Sequence, residues 1–200
     1  MKAITLISSL LVLFLANPLW AAETDELTQL TKNKIDQVIN LLQKSNLDKP
    51  TRNAKIIEAI DPIFDFDQMA KLSLGKKYWS QMNEAQQAEF LKLFVVRLQE
   101  SYLEKLDLYT NERVEVEEAQ QVKSRVYVTT KLISGGEAME MVYKFFKGRQ
   151  GWQVYDVVIL GVSVVQTYRS QFEGLMSKGN AEDLLNKMRK SGELKIPAAN

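Results

Sequence analysis

The apolar residues of this 200-residue chain change their period near residue 113. Before that point they recur at helical spacing, and after it they alternate. Leu27, Leu30, Ile35, Val38, Ile39 and Leu42 trace a first helix, which Asn46 to Pro50 ends. A second helix is predicted from Thr51 to about Ile60, before Pro62. A third starts at Asp65 or Asp67, either of which can cap it, and stops at Gly75. The longest runs from Asn83 to about Leu106, with Gln86 placed to complete a capping box. Its stripe of Leu91, Phe94, Val95, Leu98 and Tyr102 is widened by Phe90, Leu93 and Val96, so other elements must cover it on more than one side.

From Val114 the pattern predicts four antiparallel strands: Val114–Val116, Val122–Leu132, Met139–Phe145 and Trp152–Leu160. Ser134-Gly135-Gly136 reads as a hairpin turn, and Gly148 to Gly151 turns the chain again. Two helices follow, one carrying Val164 to Met176 and one carrying Leu184, Leu185 and Met188. Helices grouped before and after a meander of four strands predict a single α+β domain with helices over the apolar sheet face.

The first 21 residues read as a leader outside that domain. Lys2 precedes an apolar run from Ile4 to Leu15, Asn17-Pro18 breaks it, and small residues follow at Ala21-Ala22. The run is shorter than the roughly 20 residues that span a bilayer. The expectation is a cleaved signal peptide over 1–21, a domain over 22–200, and a mature protein free in the periplasm. Without Lys2 the basic and acidic residues balance at 25 each, so neither nucleic acid nor an anionic membrane is attracted by net charge.

The chain has no His and no Cys. Ser-His-Asp triads, cysteine nucleophiles, disulfides and His- or Cys-ligated metals are therefore excluded. Gly161-Val162-Ser163 lacks the glycine of a nucleophile elbow, and Ser163 reads as a helix cap. Asp61, Asp65 and Asp67 lack the third ligand and glycine of an EF-hand and read as caps and turn residues. Paired carboxylates working as general acid and base stay open. Lys123, Arg125 and Lys131 share a strand face, with Lys144 and Lys147 near the next hairpin. Such a face is solvated or meets an anionic head group or acidic partner. Methionines and tyrosines, including Tyr155, fall on the faces assigned inward, where they suit either a core or a pocket for a variable apolar ligand.

Two stretches resemble a known family. Phe64-Asp65-Phe66-Asp67-Gln68-Met69-Ala70-Lys71-Leu72-Ser73-Leu74-Gly75 with Tyr78-Trp79 is similar to the FDFxxMAxLxLGxxW block of the MlaC, or toluene-tolerance, family. Gly151-Trp152-Gln153-Val154-Tyr155-Asp156 through Gly161-Val162-Ser163 resembles its second block, GxWxVYDVxxxGVSxV, and Tyr168-Arg169-Ser170-Gln171-Phe172 its YRxQF. Lys76-Lys77 adds one residue before Trp79, and Leu160 stands where many relatives carry an acidic or polar residue.

The resemblance implies a bent four-stranded sheet of NTF2-like or cystatin-like type and a phospholipid carrier with no cofactor and no catalysis. Such a carrier is a monomer that holds acyl chains between sheet and helices. It shuttles lipid between an outer-membrane lipoprotein–porin complex and an inner-membrane MCE-domain/ABC transporter complex, maintaining outer-membrane lipid asymmetry. The expected lipid-binding residues are Met69, Leu72, Leu98, Tyr102, Met139, Met141, Tyr143, Val157, Ile159, Val165, Tyr168 and Phe172. A diacyl lipid of roughly 30 methylenes faces a barrier on the order of 20 kcal/mol to crossing water unaided, and an apolar cavity alone removes it. Two other classes compete: an adaptor with a filled core, and a hydrolase using a buried carboxylate of raised pKa.

Overall fold

The computed structural model describes residues 18–44 and 46–190. The leader expected over 1–21 lies outside them except for Pro18–Ala21, which begin helix α1 (Pro18–Leu42). There follow α2 (Lys49–Ile60), a 3-10 turn (Asp61–Ile63), α3 (Phe66–Leu74), the short α4 (Lys76–Trp79) and α5 (Glu84–Leu106). Then come β1 (Arg113–Val116), β2 (Gln120–Val122), β3 (Arg125–Ser134), β4 (Glu137–Gly148), β5 (Gly151–Ile159) and β6 (Val162–Ser163). Helices α6 (Val164–Met176) and α7 (Ala181–Arg189) close the domain.

The helix boundaries follow their caps. Asp48 caps α2 by accepting from Thr51 N at 2.8 Å, and Asp65 caps α3 by accepting from Gln68 N at 2.8 Å. Asn83 and Gln86 form the capping box of α5, and Asn180 and Asp183 form that of α7. Gly75 ends α3 at φ +78°, and the Arg169 guanidinium lies 3.6 Å from where a side chain would begin. The positive φ is what favours glycine there, since 3.6 Å is an ordinary contact distance.

The antiparallel meander is present, with two differences from the four predicted strands. First, Lys123 adopts φ +59° and the chain turns on Lys123–Ser124, pairing Val122 with Arg125. The alternation expected to run unbroken from Val122 therefore starts at Arg125. Both β1 and β2 pair with β3, as two parts of one edge strand. Between them Ala119 N leaves the ladder and donates to Thr28 Oγ1 of α1 at 2.9 Å. Second, the two-residue β6 folds back on β5. Among the described residues the sheet thus has six strands in four long tracks and a short edge.

A bulge between Lys144 and Phe145 sets the faces of β5. Tyr143 pairs with Val157 and Phe145 with Val154, so Tyr155 is the extra residue. Val154 and Val157 share the inner face with Val126, Val128, Tyr143 and Phe145. Tyr155 instead packs its ring edge-on against Phe146 at 5.9 Å and accepts from Arg125 at 2.6 Å on the other face. The inward assignment of Tyr155 is corrected by this shift of parity.

Three apolar clusters hold the domain. The largest joins α3, α5, α6 and α7, with Phe94 5.3 Å from Tyr168 and Phe90 5.3 Å from Phe172. The second lies under the start of α1, where Leu27 meets Val126, Val128, Phe145 and Val154. The third joins Val38 and Leu41 of α1 to Ile56 of α2 and the last turns of α5. Helix α5 is thus covered at two heights by different partners, although Val96 stays 37% exposed. Arg97, buried on α5, donates to the terminal carbonyls of α7 at Met188 (2.7 Å) and Arg189 (3.2 Å), a favourable place for a cation.

Sheet and bundle are joined at Asp156, which is buried on the outer face of β5. It pairs with Lys144 at 3.1 Å and accepts from Ser163 Oγ at 2.8 Å and from Val165 N at 3.2 Å. Ser163 caps α6 by accepting from Gln166 N at 3.1 Å. Asp156→Ala leaves Lys144 unpaired and two donors unmet, and is expected to cost on the order of 3 kcal/mol. Ser163→Ala, which removes the cap and one of the donors to Asp156, is expected to cost about 2 kcal/mol. Urea midpoints of the two variants check this order.

Candidate functional site

The site follows from the register of the central hairpin. Gly135 and Gly136, both at positive φ, turn it in two residues. Pairing outward from the turn sets Leu132 opposite Met139, Thr130 opposite Met141 and Val128 opposite Tyr143. Strand β5 adds Ile159 beside Met141 and Val157 beside Tyr143. One face of three strands is therefore apolar along its length, interrupted by the Thr130 hydroxyl.

Cover over that face is uneven. At the Val126–Phe145–Val154 end α1 seals it, and all three residues are fully buried. Toward the Gly135–Gly136 turn, Leu132, Met139, Met141, Tyr143, Val157 and Ile159 are only half-buried. Tyr143 shows what kind of surface this is. Burial raises its phenol pKa, partly offset by the Thr130 hydroxyl, yet the residue keeps accessible area. Tyr143 therefore marks where the sealed part of the face gives way to the accessible part.

The twelve residues expected to bind lipid fall into several groups. Met69, Leu98, Val165, Tyr168 and Phe172 are buried in the helical cluster, and Leu72 and Ile159 pack against it half-buried. Tyr168 sits 5.6 Å from Phe172, with burial pushing its hydroxyl up to about 12. Val157 bridges the helical cluster and the one under α1, and Tyr143 joins the latter. Tyr102 packs in the third cluster. Met139 and Met141 belong to none of the three. Leu132 and Thr130 lie on the same face but were not among the twelve. Counting pairs outward from the Gly-Gly turn would have found both.

The basic strand residues have partners within the chain. Arg125 lies 4.6 Å over the Tyr155 ring, Lys131 pairs with Glu117 at 2.5 Å, Lys144 with Asp156, and Lys147 with Glu23. Lys123 stands in the turn, off the strand face where it was expected. A concavity of about 460 Å³ lies between α1 and α2, with Lys34, Lys44, Lys55 and Glu58 around Leu41, Leu47 and Ala59. Its polar lining suits an acyl chain poorly.

Of the three aspartates, Asp65 caps α3 as expected, Asp67 lies in that helix's first turn, and Asp61 departs from the expected turn role. Asp61 accepts from Gln99 Nε2 at 2.6 Å and from Tyr102 OH at 3.2 Å, tying the 3-10 turn to α5. Burial raises its pKa, and the two donors partly offset this. Burial and the Asp61 charge hold the Tyr102 hydroxyl far above the usual phenol range.

Fold and site together define an α+β domain whose antiparallel sheet presents an apolar face that its helices cover at one end and leave partly open at the other. The family model described as MlaC protein matches residues 32–190, and the chain belongs to that family. It is 24% identical over 204 residues to the intermembrane phospholipid transport system binding protein MlaC of Haemophilus influenzae, covering 98% of this chain and 95% of that protein. Among solved structures it is similar to the phospholipid-binding protein from Ralstonia solanacearum in complex with a phospholipid. The TM-score is 0.72 at 24% identity, over 81% of this chain and 94% of the other, a likeness of fold.

The Asp61 geometry makes a prediction with a definite sign. A carboxyl whose folded pKa is raised contributes stability that is fully present below the unfolded value and is lost as pH rises through the folded one. Asp61→Asn removes this titration. Wild type and variant should have similar urea midpoints below the ordinary 3.8. The variant should gain relative to wild type as pH rises through the raised value and then hold that gain. Parallel midpoint curves from acid to neutral pH would count against a desolvated Asp61.

Proposed function

We propose that the protein is a periplasmic phospholipid carrier, and that acyl chains lie against Leu132, Met139, Met141, Tyr143, Val157 and Ile159. Leu72 packs on the helical cluster that meets Val157 and Ile159, whereas Tyr102 lies apart, in the cluster of α1, α2 and α5. The helical cluster of Met69, Leu98, Val165, Tyr168 and Phe172 backs the acyl-chain seat. One observation carries the reading: three strands share an apolar face that α1 seals at one end and that stays accessible from Leu132 to Ile159. Membership of the MlaC family supports it, as do the names of the relatives, a phospholipid transport protein and a phospholipid-binding protein.

The physical task asks for no catalytic group. Acyl methylenes gain about 0.8 kcal/mol each on leaving water, and an apolar wall of adaptable methionines accommodates chains of differing length. Asp61 does not favour the hydrolase reading, because its carboxylate is held by Gln99 and Tyr102 and, among the described residues, no hydrogen bond joins it to a second carboxylate. The carrier binds lipid with the same equilibrium in either direction, so outer- and inner-membrane partner complexes set the direction of transfer that maintains outer-membrane asymmetry.

Met141→Trp tests the seat, because Met141 is half-buried and outside all three packed clusters. The indole should displace phospholipid, read by native mass spectrometry, while the unfolding midpoint of delipidated protein changes by less than about 1 kcal/mol equivalent. In a filled core the same change would overpack, at about 1–3 kcal/mol. Delipidated forms are compared because bound lipid raises apparent stability by mass action. Unchanged lipid occupancy with a large loss of stability would place Met141 in an ordinary core.

A further inference from the structure

We infer that the β5–β6 turn is an apolar lip over which a phospholipid acyl chain enters and leaves, an inference that rests on the carrier reading above. Ile159 pairs with Val162, so Leu160 and Gly161 form a two-residue hairpin loop. Both have positive φ, +48° and +80°. Such loops favour Asn-Gly, because an L-residue with a bulky side chain is strained in the left-handed region. The Gly135–Gly136 loop of the same sheet obeys this preference. Leu160 breaks it and is not compensated by burial, since it is 45% exposed. A residue that neither local conformation nor packing favours marks a functional position.

The register says what the lip adjoins. Cross-strand pairing places Thr130, Met141, Ile159 and Val162 in one row on the inner face of β3, β4, β5 and β6. Exposure rises along that row. Thr130 is 0% exposed, Met141 and Ile159 are half-buried, and Val162 is 52% exposed. The row is an apolar path from the enclosed part of the sheet to solvent, with Leu160 at its outer end. A chain moving along it exchanges water for apolar contact stepwise, so no step exposes the whole chain.

The test uses pyrene-labelled phosphatidylglycerol in vesicles of phosphatidylethanolamine and phosphatidylglycerol, with uptake followed by fluorescence. Leu160→Asn and Val162→Ser are each expected to slow uptake about fourfold, the factor that lost contact with one methylene gives. Equilibrium lipid occupancy should stay at the wild-type level. Asparagine suits the left-handed region, so Leu160→Asn should also raise the unfolding midpoint by about 2 °C. Val122→Ser, at the other end of the sheet and 37% exposed, should leave uptake unchanged. Wild-type uptake rates in both lip variants would overturn the inference and leave the carrier reading standing. Slowing from vesicles but not of a short-chain phosphatidylglycerol dispersed as monomers would overturn it too, because the turn would then touch the membrane and not the chain. If wild type takes up no phospholipid, both readings fall together.

Discussion

The central hairpin is longer than the helices that can cover it. Strands β3 and β4 run for 10 and 12 residues, and at roughly 3.4 Å per residue the longer reaches about 40 Å. Helix α1 seals one end through Leu27 and then leaves the sheet, so that Val38 and Leu41 meet α2 and α5 instead. Helices α3 and α6 approach only the β5 side, through Val157 and Ile159. Apolar surface between Leu132 and Ile159 is thus left without a full partner. A protein that buries apolar area wherever it can keeps such a surface only if its scaffold cannot close over it.

The scaffold resists closing because its own packing is complete elsewhere. Four aromatic rings, Phe90, Phe94, Tyr168 and Phe172, interlock at 5.3–6.4 Å in the helical cluster. Arg97 ties α5 to the end of α7. With no cysteine to form a disulfide, these contacts and the Asp156 junction carry the tertiary structure. The bulge at Tyr155 contributes to both sides of the sheet. It returns Val154 and Val157 to the inner face and leaves Tyr155 and Asp156 together on the outer one, where Asp156 can hold the start of α6. A filled bundle behind a partly open sheet means that the fold does not depend on anything bound to the apolar face.

Much of the fold was legible because it is written in local signals. Asn83 with Gln86, Asp65, Gly75, Ser163 and Gly135-Gly136 act through neighbouring backbone, and each performs its expected local task. What escaped depends on contacts distant in sequence or on small changes of parity. Nothing around Lys123 signals a left-handed turn in an alternating run. The bulge that turns Tyr155 outward follows from how β5 meets β4. Asp61 looks like a turn residue until Gln99 and Tyr102, 38 and 41 positions on, are seen to donate to it. The expected lipid-binding residues divide for a similar reason. Periodicity identifies an inward face but not whether a helix lies across it, so Phe172 and Met139 read alike although one is buried in aromatics and the other half-exposed.

The central claim is that acyl chains lie against the inner face of β4 and β5. Its most direct test is photo-crosslinking with a phospholipid carrying a diazirine near the end of one acyl chain, loaded onto the purified protein and mapped by peptide mass spectrometry. The account predicts labels on Met139, Met141, Tyr143, Val157 or Ile159. Labels confined to the outer face at Tyr127 and Phe146, or to the α1–α2 concavity around Lys34 and Lys55, would contradict it.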